Sequence, residues 1–169
     1  MSMNASASRS WGALPWLWLS VLVILLDLGS KYIASNNLSY GVPVPVVPFF
    51  NLTLLHNTGA AFSFLADAGG WQRWFFAGLA VLVSAMLVVW LYRLPRADKW
   101  MACALSLVLG GALGNLYDRI MHGYVVDFIH LYAGSHHFPA FNIADSAITV
   151  GAVMIALDIF RKPAEAKSS

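Results

Sequence analysis

The sequence predicts a mainly α-helical integral membrane protein: four transmembrane helices, with a small β-sheet and a short interfacial helix on one outer face. Three observations predict it. Of 169 residues, 59% are hydrophobic and only 11% charged, and the mean hydropathy is +0.68, above the range of a soluble domain this long. Two charge-free runs have crossing length: 19 residues between Arg73 and Arg93, and 18 between Lys99 and Asp118; about 20 residues cross the hydrocarbon core as helix. Basic residues are also one-sided, since Arg9, Arg93, Arg96, Lys99, Arg161, Lys162 and Lys167 all fall on one face of a four-span arrangement. The positive-inside rule assigns that face to the cytoplasm, with both termini.

Span 1 covers 13–34 and is interrupted late by Asp27. Arg9 ahead of an apolar stretch would suit a cleavable signal peptide, but the long Trp-rich run and the charges of Asp27 and Lys31 favour a retained span. The outer segment 35–72 follows. Its part "YGVPVPVVPFFNLTLLH" is rich in Val, Phe and Thr, with prolines at 43, 45 and 48, and predicts extended chain at a sheet edge. The next part, "NTGAAFSFLADAGGW", predicts one or two helical turns dipping Phe62, Phe64 and Leu65 into the interface before Gly69 and Gly70 break them. Spans 2 and 3 are 74–92 and 100–117. In the outer segment 118–138, "GYVVDFI" alternates, with Val125, Asp127 and Ile129 on one side and Tyr124, Val126 and Phe128 on the other. Span 4 covers 139–160 and holds Asp145 and Asp158. A single membrane domain of 1–169 results, with residues 1–10 and 163–169 reading as disordered.

The net charge of +2 carries no nucleic-acid signal, because orientation explains the basic residues. Cys103 stands alone in span 3 and reads as a small packing residue. No Cys/His spacing predicts a metal site, and no cofactor is expected; His136–His137 is the one pair worth testing for zinc. Neither a G-x-S-x-G elbow nor an H-E-x-x-H helix occurs.

Two acids carry the chemistry. Asp145 falls about six residues into span 4, roughly 9 Å below its start, where a carboxylate costs on the order of 2.5–3.5 kcal/mol and should face other helices or a wet cavity. The plain alternative is an Asp hydrogen-bonded to a helix end. Asp127 comes from the strand feeding that span, with 17 residues between the acids for the return. Two carboxylates brought together in a dry site share one proton, and the pair becomes general base and general acid in one unit. Such a pair can activate water and protonate a departing amine. It could equally relay protons in a transporter, and a lipid-binding scaffold without chemistry is a third alternative. Asn115 and Arg119 share a face at i and i+4, as do Asp27 and Lys31 in the favourable acid-first order. Gly110 and Gly114 form a G-x-x-x-G that admits close helix approach.

With "DLGSK" at 27–31, "NTGAAFS" at 57–63, "GGALGNLYDR" at 110–119, "GYVVDF" at 123–128 and "FNIADSAI" at 141–148, the chain resembles the lipoprotein signal peptidase (signal peptidase II) family. Those are bacterial inner-membrane aspartyl endopeptidases, and the resemblance spans nearly the whole chain. It implies a catalytic dyad of Asp127 and Asp145, with Asp27, Lys31, Asn57, Gly59, Gly111, Asn115, Arg119, Asn142 and Ala144 shaping or supporting the site. Leu28 stands where the family usually has Gln. The implied substrate is a diacylglyceryl-modified prolipoprotein, cut just before its lipidated cysteine. The partners are that substrate and membrane lipid, the chain acts as a monomer, and the site faces the periplasm. Backbone or Asn donors, Asn57 and Asn142 foremost, are expected to steady the tetrahedral intermediate.

Overall fold

The computed structural model describes residues 11–59 and 70–161. The interfacial helix expected around Phe62, Phe64 and Leu65 lies outside them, as do the termini expected to be disordered.

Helix α1 (Leu17–Asn37) is entered through a 3₁₀ turn, Leu14–Trp16, that carries Pro15 where a missing N–H costs nothing. It ends where the Asn36 and Asn37 amides donate back to the carbonyls of Tyr32 and Ile33 and Leu38 turns extended. Its buried residues, Ser20, Val23, Asp27, Lys31 and Ala34, recur every three or four positions and form one stripe. The opposite face exposes Val21, Leu22, Leu25, Leu26 and Ile33. Polar groups thus face in and apolar groups out, which is the distribution a lipid solvent selects.

Helix α2 (Trp71–Arg93) is likewise apolar outside, exposing Trp74, Phe75, Leu82 and Met86. Helix α3 (Lys99–Met121) starts on Asp98, whose side chain accepts from the Met101 N–H at 3.1 Å. It packs against all three other helices and has most of its buried residues. Helix α4 (Ile143–Arg161) lies along it. The glycines of α3 set these approaches. A Cβ at Gly110 would meet Val23 and Ser20 of α1 at 2.7–2.8 Å, one at Gly114 would meet the Asp27 carboxylate at 2.6 Å, and one at Gly111 would collide with the Ala144 carbonyl of α4. The G-x-x-x-G therefore serves packing inside the bundle, against α1. The segments 14–37, 71–93 and 99–121 are each long and apolar enough to cross a membrane.

α1 begins and ends three to four residues later than expected and α2 begins three earlier, and two further helix limits bear on the acids. α3 continues to Met121, so Asp118 and Arg119 are helical, because both find partners inside the protein (below). α4 starts at Ile143, four residues past the expected 139, because the backbone of Phe141 pairs with Ile129 and keeps residues 139–141 extended. Asp145 accordingly sits in the first turn, about 3 Å along the helix.

Four strands form one antiparallel sheet in the order β1 (Val44–Val47), β2 (Phe50–Asn57), β3 (Val125–Ala133), β4 (His136–His137). Pro45 lies in the edge strand β1, where a missing N–H is tolerated. Between β2 and β3 the register slips once: Leu52 pairs with Ile129 but Leu55 pairs with Asp127. This bulge changes the parity of β2, so that Leu55 and Asn57, not Leu54 and His56, share a face with Asp127. The sheet adjoins the C-terminal ends of α1 and α3 and the start of α4. A cluster of Ala13, Leu87, Leu91, Leu94, Met101, Ala102, Leu105 and Leu109 closes the opposite end of the bundle.

Candidate active site

Asn142, immediately before α4, is fully buried and makes contact with both acids. Its Oδ1 accepts from the Asp145 N–H at 2.9 Å while Asp145 Oδ2 accepts from the Asn142 N–H at 3.3 Å. This is a reciprocal capping box closing the helix start. The same Asn142 offers Nδ2 to Asp127 Oδ1 at 2.8 Å, and to the Val126 carbonyl and Asn115 Oδ1 at 3.2 Å each. One amide thus ties the third residue of β3 to the first turn of α4. The plain alternative for Asp145 holds for one oxygen only: Oδ2 caps the helix, and Oδ1 accepts from Asn115 Nδ2 at 2.7 Å.

Asp127 is 3% exposed. Its Oδ2 accepts from Asn57 Nδ2 at 3.1 Å, which the β2 bulge makes possible. Burial, and next the charge of Asp145, push the Asp127 carboxyl up from the ordinary carboxylate range to about 7, against the lowering effect of Asn57, Asn142 and Lys31. Asp127 therefore favours holding a proton more than an ordinary carboxyl does. The amide of Asn142 is engaged by Asp127, Val126 and Asn115, and that of Asn57 reaches Asp127, so in this arrangement both side chains orient the acid.

The support lies one layer deeper. Lys31 Nζ reaches Asp27 Oδ2 at 2.7 Å, Asp118 Oδ2 at 3.0 Å and Asn115 Oδ1 at 3.0 Å. Asp27 Oδ1 in turn accepts from the Ala144 N–H at 2.9 Å, so α1 holds a free N–H of the α4 first turn. Ala144 is fully buried and faces Gly111. Arg119 donates to the carbonyls of Asn115 and Gly59 at 3.3 and 3.2 Å, and the Gly59 N–H donates to Asn57 Oδ1 at 3.0 Å. Asp27, Lys31, Asn57, Gly59, Gly111, Asn115, Arg119, Asn142 and Ala144 are thus placed in one connected layer around Asp127 and Asp145. Asp118 belongs to it as well, accepting from the Val126 N–H at 3.0 Å next to Asp127. Its partner Lys31, 3.0 Å away, lies far off in sequence.

His136 and His137 are adjacent in β4, so their side chains leave opposite faces. His137 lies instead 3.1 Å from His130 across the strand pair. Among the described residues no group of three or more His, Cys, Asp or Glu is placed to hold a metal ion.

Residues 19–161 match the family model described as signal peptidase (SPase) II. The lipoprotein signal peptidase of Acinetobacter baumannii is 63% identical over 145 residues, covering 86% of this chain and 82% of its own. That of Pseudomonas putida is 60% identical over 160 residues, covering 94% and 93%. A solved structure of a bacterial membrane enzyme superposes with a TM-score of 0.81 at 33% identity, over 92% of this chain and 93% of that one.

Proposed function

The chain belongs to the signal peptidase II family, membrane proteases that remove signal peptides from prolipoproteins, and from that premise we propose that it works as an aspartic endopeptidase with Asp127 and Asp145 as its catalytic pair. The observation that carries this reading is the single buried amide of Asn142, hydrogen-bonded to the Asp127 side chain and to the Asp145 main chain. Acids on separate elements are thereby held at one place. The substrate is a prolipoprotein carrying a diacylglyceryl group, and the bond cut is the one before the modified cysteine.

In the resting pair Asp127, whose pKa is raised to about 7, holds a proton. A water between them gives a proton to Asp145 as its oxygen bonds to the scissile carbonyl carbon, while Asp127 passes its proton to the carbonyl oxygen. The tetrahedral diol then collapses. Asp145 delivers its proton to the departing nitrogen, the C–N bond breaks, and Asp127 recovers a proton from the diol as the new carboxyl forms. The products are a signal peptide ending in a carboxyl group and a cysteine with a free amine, and the pair is restored to its starting state.

α4 is the fourth crossing. Its 19 residues reach about 28 Å as helix, close to the hydrocarbon thickness. The clustered Arg93, Arg96 and Lys99, with Arg9, Arg161, Lys162 and Lys167, support a topology with both termini in the cytoplasm and the sheet on the periplasmic side of the inner membrane. A lipid-anchored cysteine reaches the acid pair at that boundary, and a monomer contains the whole site.

The test is cleavage by the purified protein of a diacylglyceryl precursor and its unlipidated form. Only the first should be cut. Asp127→Asn and Asp145→Asn should each lower kcat on the order of 10⁴-fold while the unfolding midpoint in detergent stays near or above that of the parent. Normal turnover by either variant would exclude the aspartic mechanism.

A further inference from the structure

The mechanism uses none of the five histidines, yet two of them face each other. His137 of β4 pairs with Tyr132, two residues beyond His130 on β3, so both rings leave the same side of the sheet. It is the side opposite the Asp127 side chain, since 127 and 130 differ in parity along β3. The rings meet nitrogen to nitrogen, His130 Nε2 to His137 Nδ1 at 3.1 Å, with centroids 5.1 Å apart. The other His130 nitrogen, Nδ1, lies 3.2 Å from the hydroxyl of Thr53, which is buried in β2. The inner end of this ring is therefore fixed while its outer end is open, His130 being half-buried and His137 exposed. Asn51, across from His130 on β2, is buried on the same side, and its Oδ1 has no hydrogen-bond partner among the described residues.

A hydrogen bond between two neutral rings fits the 3.1 Å separation but leaves the Asn51 oxygen idle. A shared cation uses all of the groups. Metal–imidazole bonds are about 2.0–2.1 Å, so two nitrogens on one ion at a near-tetrahedral angle lie about 3.1–3.4 Å apart. With Thr53 accepting from Nδ1–H, His130 carries its free lone pair on Nε2, the arrangement that orients metal-bound imidazoles. The Asn51 oxygen can accept from a water carried by the ion. We propose that His130 and His137 chelate a divalent cation of the zinc and copper class, with water completing its shell, and that the ion clips β4 to β3. Imidazole favours these metals over magnesium and calcium, which take oxygen ligands. Among the described residues no third His, Cys, Asp or Glu joins the pair. The ion is therefore exchangeable, with a Kd on the order of 10⁻⁵ M, far weaker than a four-ligand structural site. β4 is two residues long and is paired with β3 only at Tyr132 and Ala133. It lies in the connection from the strand of Asp127 to the helix of Asp145, so the ion would stiffen that connection without touching either acid. The proposal does not depend on the peptidase reading.

The test is calorimetric titration of the full-length protein, without a polyhistidine tag, with zinc chloride. One equivalent should bind with a Kd of about 10⁻⁵ M, and magnesium chloride should not bind. His130→Ala and His137→Ala should each weaken zinc binding at least about tenfold, and Thr53→Val about tenfold. His136→Ala and His56→Ala should bind as the parent does, because neither ring belongs to the pair. Copper(II) in place of zinc should give an electron paramagnetic resonance spectrum split by two nitrogens, a readout that needs no variant. Zinc at ten times its Kd should raise the unfolding midpoint of the parent by about 3 °C and leave that of His137→Ala unmoved. Three results overturn the proposal: no zinc bound by the parent below about 1 mM, zinc binding retained in both His130→Ala and His137→Ala, or a copper spectrum showing a single nitrogen. In each of them the two rings are joined by a hydrogen bond alone.

Discussion

Lys31 has three N–H donors, and Asp27, Asp118 and Asn115 receive one each. The third sets the direction of an amide: with Oδ1 of Asn115 turned to the ammonium, its Nδ2 must face Asp145. Lys31→Met removes a 3% exposed charge from between two buried carboxylates. It should destabilise the protein by about 3–5 kcal/mol, read from denaturation in detergent, and lower kcat in whatever fraction stays folded. Asp127 yields a pH prediction. Its pKa is about 7 in the folded chain against an ordinary 3.8, so the native state binds this proton more tightly than the unfolded one. Its stabilising proton uptake is complete below about 4 and is lost as pH rises through 7. Stability should fall across that window, Asp127→Asn should flatten the fall, and kcat/KM should decline above about 7 as the acid form is lost. That the strand before α4 and the start of α4 bring Asp127 and Asp145 to one place was legible in the sequence, although Asp145 stands shallower than the apolar run suggests because α4 starts at Ile143. Asp118 was not assigned a place in the site, because its meeting with Lys31 is decided by how α1 lies on α3, which no local pattern encodes.

At the level of elements, small residues decide how close the helices come. A methyl group at Gly111 collides with the Ala144 carbonyl, and Ala144 belongs to the turn that carries Asp145. Gly111→Ala should therefore cost about 1–3 kcal/mol as an overpacking change and lower kcat more than Gly78→Ala, since Gly78 on α2 has open space; a thermal melt and a turnover assay on both variants check this. Helices α2 and α3 were readable because charge-free runs of crossing length are a composition signal. Where α4 begins was not, since residues 139–141 are apolar like the helix yet are held extended by pairing with β3. The β2 bulge was equally invisible: alternation predicts one face for a strand, and a single unpaired position reverses it. Asn57 faces Asp127 through that reversal, and the motif around it conveys nothing of the cause.

The whole molecule is inverted relative to a water-soluble fold, with Trp18, Leu25, Trp74, Leu82 and Met86 exposed and Asp27, Lys31, Asn115 and Asp118 inside. One end of the bundle is an apolar cluster and the other a polar site under a sheet. With Cys103 replaced by Ser, single cysteines at Ala97 and Ser135 should report the orientation: an impermeant maleimide added to intact spheroplasts should label position 135 and leave 97 unlabelled until the membrane is opened. The reverse pattern would overturn the assigned topology. Composition made the apolar helices of this architecture legible, whereas the depth of the acids depended on the true start of α4. Asn142, which both starts that helix and orients Asp127, links maturation of the fold to reactivity. On the proposed mechanism, a chain whose last segment has not yet wound would lack an assembled pair of acids, since the Asn142 that caps α4 is also the one that holds Asp127.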